Sequence, residues 1–90
     1  MLLRQFMMII KVLYFASARE DIGLREERLQ LSDESNTTLA SLRRLLLDKY
    51  PHATSTIESI TFALNLEYSD DDVVLTDGDE VALIPPISGG

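Results

Sequence analysis

Residues 7–16 are apolar at almost every position except Lys11, the pattern of a central strand with one face on a core and the other only partly covered. Alternation sets Ile10, Val12 and Tyr14 on one face and Ile9, Lys11, Leu13 and Phe15 on the other, and the lysine marks the second face as the more solvated. Phe15 is therefore expected to be an exposed aromatic. Residues 25–31 alternate more weakly, Leu29 and Leu31 against Arg28 and Gln30, as an edge strand blunted by charge would. Between these strands, residues 19–22 have room for one helical turn, with Gly23 placed for a left-handed C-cap. Leu39, Leu42, Leu45 and Leu46 then recur at helical spacing behind Thr38, a good N-cap, until Tyr50 meets Pro51. This is the one substantial helix, with Arg43, Arg44 and Asp48 expected on its solvated side.

The second half of the chain is built from shorter pieces. Residues 61–64 read as a strand, and Asn65, which tolerates the left-handed region, turns the chain into Glu67-Tyr68. Ser69-Asp70-Asp71-Asp72 is a surface loop. It lacks a calcium-loop pattern, because Val74 and Leu75 stand where further ligands are needed. His52, the only histidine, is read as a loop residue without a second ligand nearby, so no metal site is expected. Asp77-Gly78-Asp79 forms a tight turn into residues 80–84, with Val81 and Leu83 inward and Glu80, Ala82 and Ile84 outward. Two strands, a helix and further strands without a βαβ repeat imply an α+β domain, one main helix packed across a mixed sheet. The order β-β-α-β-β fits a β-grasp. The parity of the strands also sets Phe15 and Ile84 on one outward face, where they would form an apolar partner surface with Arg19 at its rim.

Length and composition narrow the class. Ninety residues make one domain, with 46% hydrophobic and 26% charged positions, close to average for a globular chain. Residues 1–6 are read as an N-terminal extension, residues 7–84 as the domain and residues 85–90 as a tail. Eight basic and fifteen acidic residues give a net charge of −7, which repels phosphate backbones and favours partners with basic surfaces. Nucleic acid is not an expected ligand. The absence of cysteine excludes a thiolate nucleophile, a disulfide framework and CxxC chemistry within the chain. Arg4, an apolar run and Ala16-Ser17-Ala18 imitate a signal peptide, but Lys11 interrupts the run and removal of this strand would expose the remaining core. No stretch reaches the roughly 18 apolar residues of a membrane span, so a cytosolic protein is expected.

The chain ends Ile84-Pro85-Pro86-Ile87-Ser88-Gly89-Gly90. Two prolines fix φ near −65° and remove two backbone donors, so the segment leaves the last strand stiffly and projects. Gly89 and Gly90, without a Cβ, suit a channel too narrow for other residues, and the Gly90 carboxylate is the one reactive end.

Val12-Leu13-Tyr14-Phe15-Ala16, Arg19-Glu20, Ala-Leu-Asn-Leu-Glu-Tyr at 63–68, Asp77-Gly78-Asp79-Glu80-Val81 and the tail together resemble the small, sulfur-carrying subunits of molybdopterin synthase. The resemblance spans nearly the whole chain after Met7 and is sharpest in the Gly-Asp-Glu-Val strand and the tail. It departs in the N-terminal extension and in the strongly acidic 69–72 loop. It implies a ubiquitin-like fold with no permanently bound cofactor. Gly90 would be adenylated at the expense of ATP by an activating enzyme of the ubiquitin-activating type, then converted to a thiocarboxylate. Phe15, Arg19, Ile84, Pro85, Pro86, Ile87, Ser88 and Gly89 would contact the large subunit, which supplies the catalytic pocket, in a heterotetramer of two small and two large subunits. There the thiocarboxylate would give sulfur to cyclic pyranopterin monophosphate, forming the dithiolene of molybdopterin. Carriers for thiamine synthesis or transfer-RNA thiolation share the fold and the Gly-Gly end, and a ubiquitin-like modifier or binding module is the alternative from another class.

Overall fold

The computed structural model describes residues 7–32 and 37–86. Strand β1 (Met7–Tyr14) leads into helix α1 (Ala16–Ile22) and strand β2 (Glu26–Ser32); helix α2 (Leu39–Lys49) follows. A 3-10 turn (Pro51–Ala53), helix α3 (Thr54–Ser59) and strands β3 (Thr61–Leu64), β4 (Glu67–Ser69) and β5 (Glu80–Ile84) complete the order. The five strands form one mixed sheet in the order β2-β1-β5-β3-β4. β1 and β5 run parallel at its centre, and the other neighbouring pairs are antiparallel. This is the expected β-grasp arrangement.

Period-2 alternation decides which face is buried. Met8, Ile10, Val12 and Tyr14 from β1, Leu29 and Leu31 from β2, Phe62 from β3, and Val81 and Leu83 from β5 join one core cluster. Leu39, Leu42 and Leu46 of α2, Ala18 and Ile22 of α1, and Ile57 of α3 join the same cluster from the helical side. Most of these side chains are almost completely removed from water, each gain being about 1.5–3 kcal/mol for a fully buried large aliphatic. Leu45 packs only partly against the core, at the edge of the leucine stripe.

The local signals behave as read. Thr38 caps α2 reciprocally, its hydroxyl accepting from the Ser41 N–H while the Ser41 hydroxyl accepts from the Thr38 N–H. Gly23 ends α1 with φ 89° and donates to the Arg19 carbonyl at 2.8 Å. Gly78 turns the chain into β5 with φ 87°.

Four expectations need correction. β1 stops at Tyr14 instead of continuing to residue 16, because Ala16 adopts φ 49° and begins a helix of two turns, twice the length expected. His52 sits in the 3-10 turn, not an open loop; its Nε2 lies 2.9 Å from the Asp21 carbonyl and its ring meets Tyr50 edge-on. Residues 54–59 form a helix the sequence did not announce, since Thr-Ser-Thr-Ile-Glu-Ser has low intrinsic helix preference and no side-chain cap.

Arg43 is the fourth. Its guanidinium does not join Arg44 and Asp48 in solvent: it donates to the Ile57 and Ile60 carbonyls at 2.6 and 3.2 Å. It also pairs with Asp71 and lies 4.7 Å from the centroid of the Phe62 ring. The planar five-donor fork fits this site because it can satisfy the last carbonyls of α3 and a carboxylate at once.

Candidate functional site

The ladders align a row of outward side chains across the sheet. Leu13 faces Ala82, Ala82 faces Ala63 and Ala63 faces Tyr68. Two alanines in the middle of the row leave a depression, and the larger side chains around it become walls. The result is a cavity of about 250 Å³ bordered by Leu13, Phe15, Leu66, Tyr68, Ala82 and Ile84. Ala63 is buried yet belongs to no part of the core cluster; the outer-face side chains cover it.

Phe15 and Ile84 thus come together as expected. Phe15 is 40% exposed and Ile84 half-buried. Phe15 is the N-cap residue of α1, in extended conformation, and its carbonyl accepts from Ala18 at 3.0 Å. The left-handed Ala16 immediately after it breaks the strand and lets the helix start there. Arg19 does not line the cavity. Its Nε donates to the Tyr14 carbonyl at 3.3 Å, closing the end of β1 just before Phe15. Pro85 is half-buried and Pro86 exposed, directly after the last residue of β5. Ile87, Ser88, Gly89 and Gly90 lie outside the described residues.

Leu66 and Tyr68 were not singled out from the sequence, and the structure exposes them at 89% and 72%. The signal was present: a leucine directly after a turn-forming asparagine is hard to bury. Acidic groups border this surface, Glu80 at the cavity itself and Glu67 beside Leu66. Asn65 holds the hairpin, donating from its backbone N–H to the Glu80 carbonyl at 2.8 Å and from its side chain to Asp79 at 3.0 Å. It also accepts from the Glu80 N–H at 2.9 Å.

On the helical side, Glu27 gathers the other polar cluster. Its carboxylate accepts from the Tyr14 hydroxyl at 2.6 Å, from the Lys49 ammonium at 2.8 Å and from the Tyr50 hydroxyl. Burial alone would raise its pKa, but the hydrogen bonds from Lys49, Tyr14 and Tyr50 hold the carboxyl below the usual value. Burial and the bond to Glu27 push both tyrosines up. All three donors serve one acceptor, so the cluster ties β1, β2 and α2 together and leaves no group free for chemistry. Among the described residues, no three His, Asp or Glu side chains converge to hold a metal ion, and no helix is long and apolar enough to cross a membrane.

Among the described residues, the surface beside the root of the tail is therefore apolar and acid-rimmed, suited to a protein partner more than to a small polar substrate.

The ThiS family model matches residues 12–90. The molybdopterin synthase sulfur carrier subunit of Chlamydomonas reinhardtii is 45% identical over 85 residues, covering 92% of this chain and 100% of that protein. A putative molybdopterin converting factor subunit 1 from Pyrococcus furiosus has the same fold, with a TM-score of 0.76, 26% identity and coverage of 89% of this chain and 99% of that one. A complex of subunits 1 and 2 of the molybdopterin-converting factor from Helicobacter pylori contains a chain similar at TM-score 0.64 and 26% identity, over 92% of this chain and 100% of that one. Relatives of this similarity, matched over nearly their full length, place the chain in the ThiS family, among the sulfur carrier subunits of molybdopterin synthase.

Proposed function

We propose that this chain is the sulfur carrier of a molybdopterin synthase, acting in the cytosol, with the Gly90 carboxylate as the atom group that is modified. The observation that carries the reading is the apolar cavity walled by Phe15 and Ile84 at the root of the tail. A partner that covers this surface receives the six-residue tail at a fixed point, and a fully extended tail reaches at most about 20 Å beyond it. The domain is thus a handle and the tail a probe.

The chemistry belongs to the terminus. A carboxylate is ionised at neutral pH and a poor electrophile. An activating enzyme of the ubiquitin-activating type would transfer AMP from ATP to one carboxylate oxygen, releasing pyrophosphate. Sulfur at the sulfide level would then displace AMP from the carbonyl carbon, leaving a thiocarboxylate. In the pocket of the large subunit this sulfur would attack a side-chain carbon of cyclic pyranopterin monophosphate and displace an oxygen substituent from it. Water would then cleave the acyl–sulfur bond, leaving the sulfur on the pterin and the carboxylate on Gly90, and two such transfers make the dithiolene. The chain needs no bound cofactor of its own for this sequence; the ATP is the activating enzyme's substrate. The small subunit supplies the sulfur, and the large subunit supplies the catalytic groups in a complex of two copies of each.

The test is sulfur transfer to the pterin precursor by the large subunit with thiocarboxylated carrier, full length or lacking Gly90. Deletion retracts the reactive carbon by about 3.3–3.6 Å and is expected to abolish transfer with an unchanged melting temperature. Transfer at a similar rate from the shortened chain would overturn the reading.

A further inference from the structure

The hairpin turn between β3 and β4 has two positive-φ residues in succession, Asn65 at 49° and Leu66 at 75°. This is the backbone of a two-residue turn that Asn-Gly adopts without strain. Asparagine is at home in the first position. Leucine in the second sets its Cβ against the following carbonyl oxygen, a conformation that L-residues other than glycine avoid. The turn is held in place regardless, because Asn65 makes three hydrogen bonds to Asp79 and Glu80.

Leu66 is also 89% exposed, the most exposed large apolar side chain among the described residues. A strained backbone and a solvated leucine are separate costs, and burial in the folded monomer offsets neither. Both would be offset where the side chain is covered by another protein. Leu66 borders the same cavity as Phe15, Ala82 and Ile84, so it continues the surface at the root of the tail. Glu67 follows it in sequence, Glu80 lines the same cavity, and the Asp79 carboxylate accepts from the Asn65 side chain, so its surroundings are acidic.

We infer that Leu66 is a specificity-determining anchor that enters an apolar socket with a basic rim on the large subunit of molybdopterin synthase. The inference rests on the reading of the outer face as the large-subunit surface. Phe15 and Ile84 grip at the tail's root, and Leu66 grips from the hairpin on the far side of the depression made by Ala63 and Ala82. Two holds on either side of a hollow fix the rotation of the domain about its tail, which a single patch at the root does not.

The experiment compares the full chain with Leu66→Gly, Leu66→Met and Phe15→Ala, measuring melting temperature and the dissociation constant for the large subunit at two salt concentrations. Leu66→Gly removes both the strain and the side chain. It is expected to melt at or above the wild-type temperature and to bind about tenfold or more weakly. Leu66→Met keeps an apolar tip and is expected to bind within about threefold of wild type. Affinity should fall as salt rises.

If Leu66→Gly binds like wild type while Phe15→Ala is weakened, Leu66 is not an anchor and the surface reading survives. If neither weakens, the surface reading falls with it. A lower melting temperature for Leu66→Gly would mean that the leucine serves the fold. Affinity independent of salt would remove the basic rim.

Discussion

Arg43 and Asp71, 28 residues apart in sequence, meet in a two-point ion pair, Nε to Oδ2 at 2.9 Å and Nη2 to Oδ1 at 3.0 Å. The pair ties α2 to the loop after β4, while the remaining guanidinium donors close the end of α3. Asp71 is 44% exposed, so water screens the charge–charge contribution. Arg43→Ala is expected to cost about 1–3 kcal/mol, chiefly through the unpaired carbonyls of Ile57 and Ile60 and the uncovered Phe62 ring. Asp71→Asn should cost less than about 1 kcal/mol. Equal losses in urea denaturation would place the stabilisation in the ion pair instead.

Glu27 gives the domain an acid limb and the tyrosines an alkaline one. The folded-state pKa of Glu27 is depressed, so its contribution is present above the unfolded value of about 4.3 and is lost as pH falls through the folded value. The stability gap between wild type and Glu27→Gln should be steady near neutrality and close progressively below about pH 4. Tyr14 and Tyr50 are raised, so their contribution is present below about pH 10 and lost as pH rises past it. Chemical denaturation from pH 3 to 11 reads both limbs, and a gap that persisted at the acid end would rule out the charged carboxylate as its source.

Ala16 spends its φ of 49° on ending β1 and aiming Phe15 outward. Glycine adopts this conformation without the side-chain clash, at the expense of a more flexible unfolded chain. Ala16→Gly is expected to raise stability by about 0.5–1 kcal/mol, and Ala16→Val to lower it by at least about 1 kcal/mol. Thermal melts of the two variants moving in the same direction would contradict the backbone explanation.

Phe15→Ala and Ile84→Ala separate interface from core. Each is expected to weaken large-subunit binding about tenfold while costing little stability, since both side chains retain water contact. Parallel losses in calorimetric binding and in melting would return these residues to the folding core.

Much of this architecture was legible in the sequence because its signals are local. Alternation over Met7–Tyr14 gave the faces of β1, Thr38 and the leucine stripe gave α2, and Gly23 and Gly78 marked where φ turns positive. The misses were matters of tertiary structure. α3 holds because Arg43 binds its last carbonyls and Thr56 reaches Asp21, partners that lie 14 and 35 residues away. The cavity was half legible: parity set Phe15, Ala82 and Ile84 outward, but its far wall depends on register between β3, β4 and β5, which sequence spacing does not fix. The expectation for the tail rested on Gly89-Gly90 alone, and those residues lie outside the described ones.

β5 lies between β1 and β3, although residues 80–84 follow every other strand in the chain. Until it docks, the sheet is two separate hairpins, with Leu13 and Phe15 on one and Ala63 and Tyr68 on the other. The outer surface is thus a composite that no stretch of unfolded chain can imitate. A partner that recognises this surface therefore recognises the finished fold, because both hairpins and β5 must be in place before Leu13, Ala63, Ala82 and Ile84 share one face.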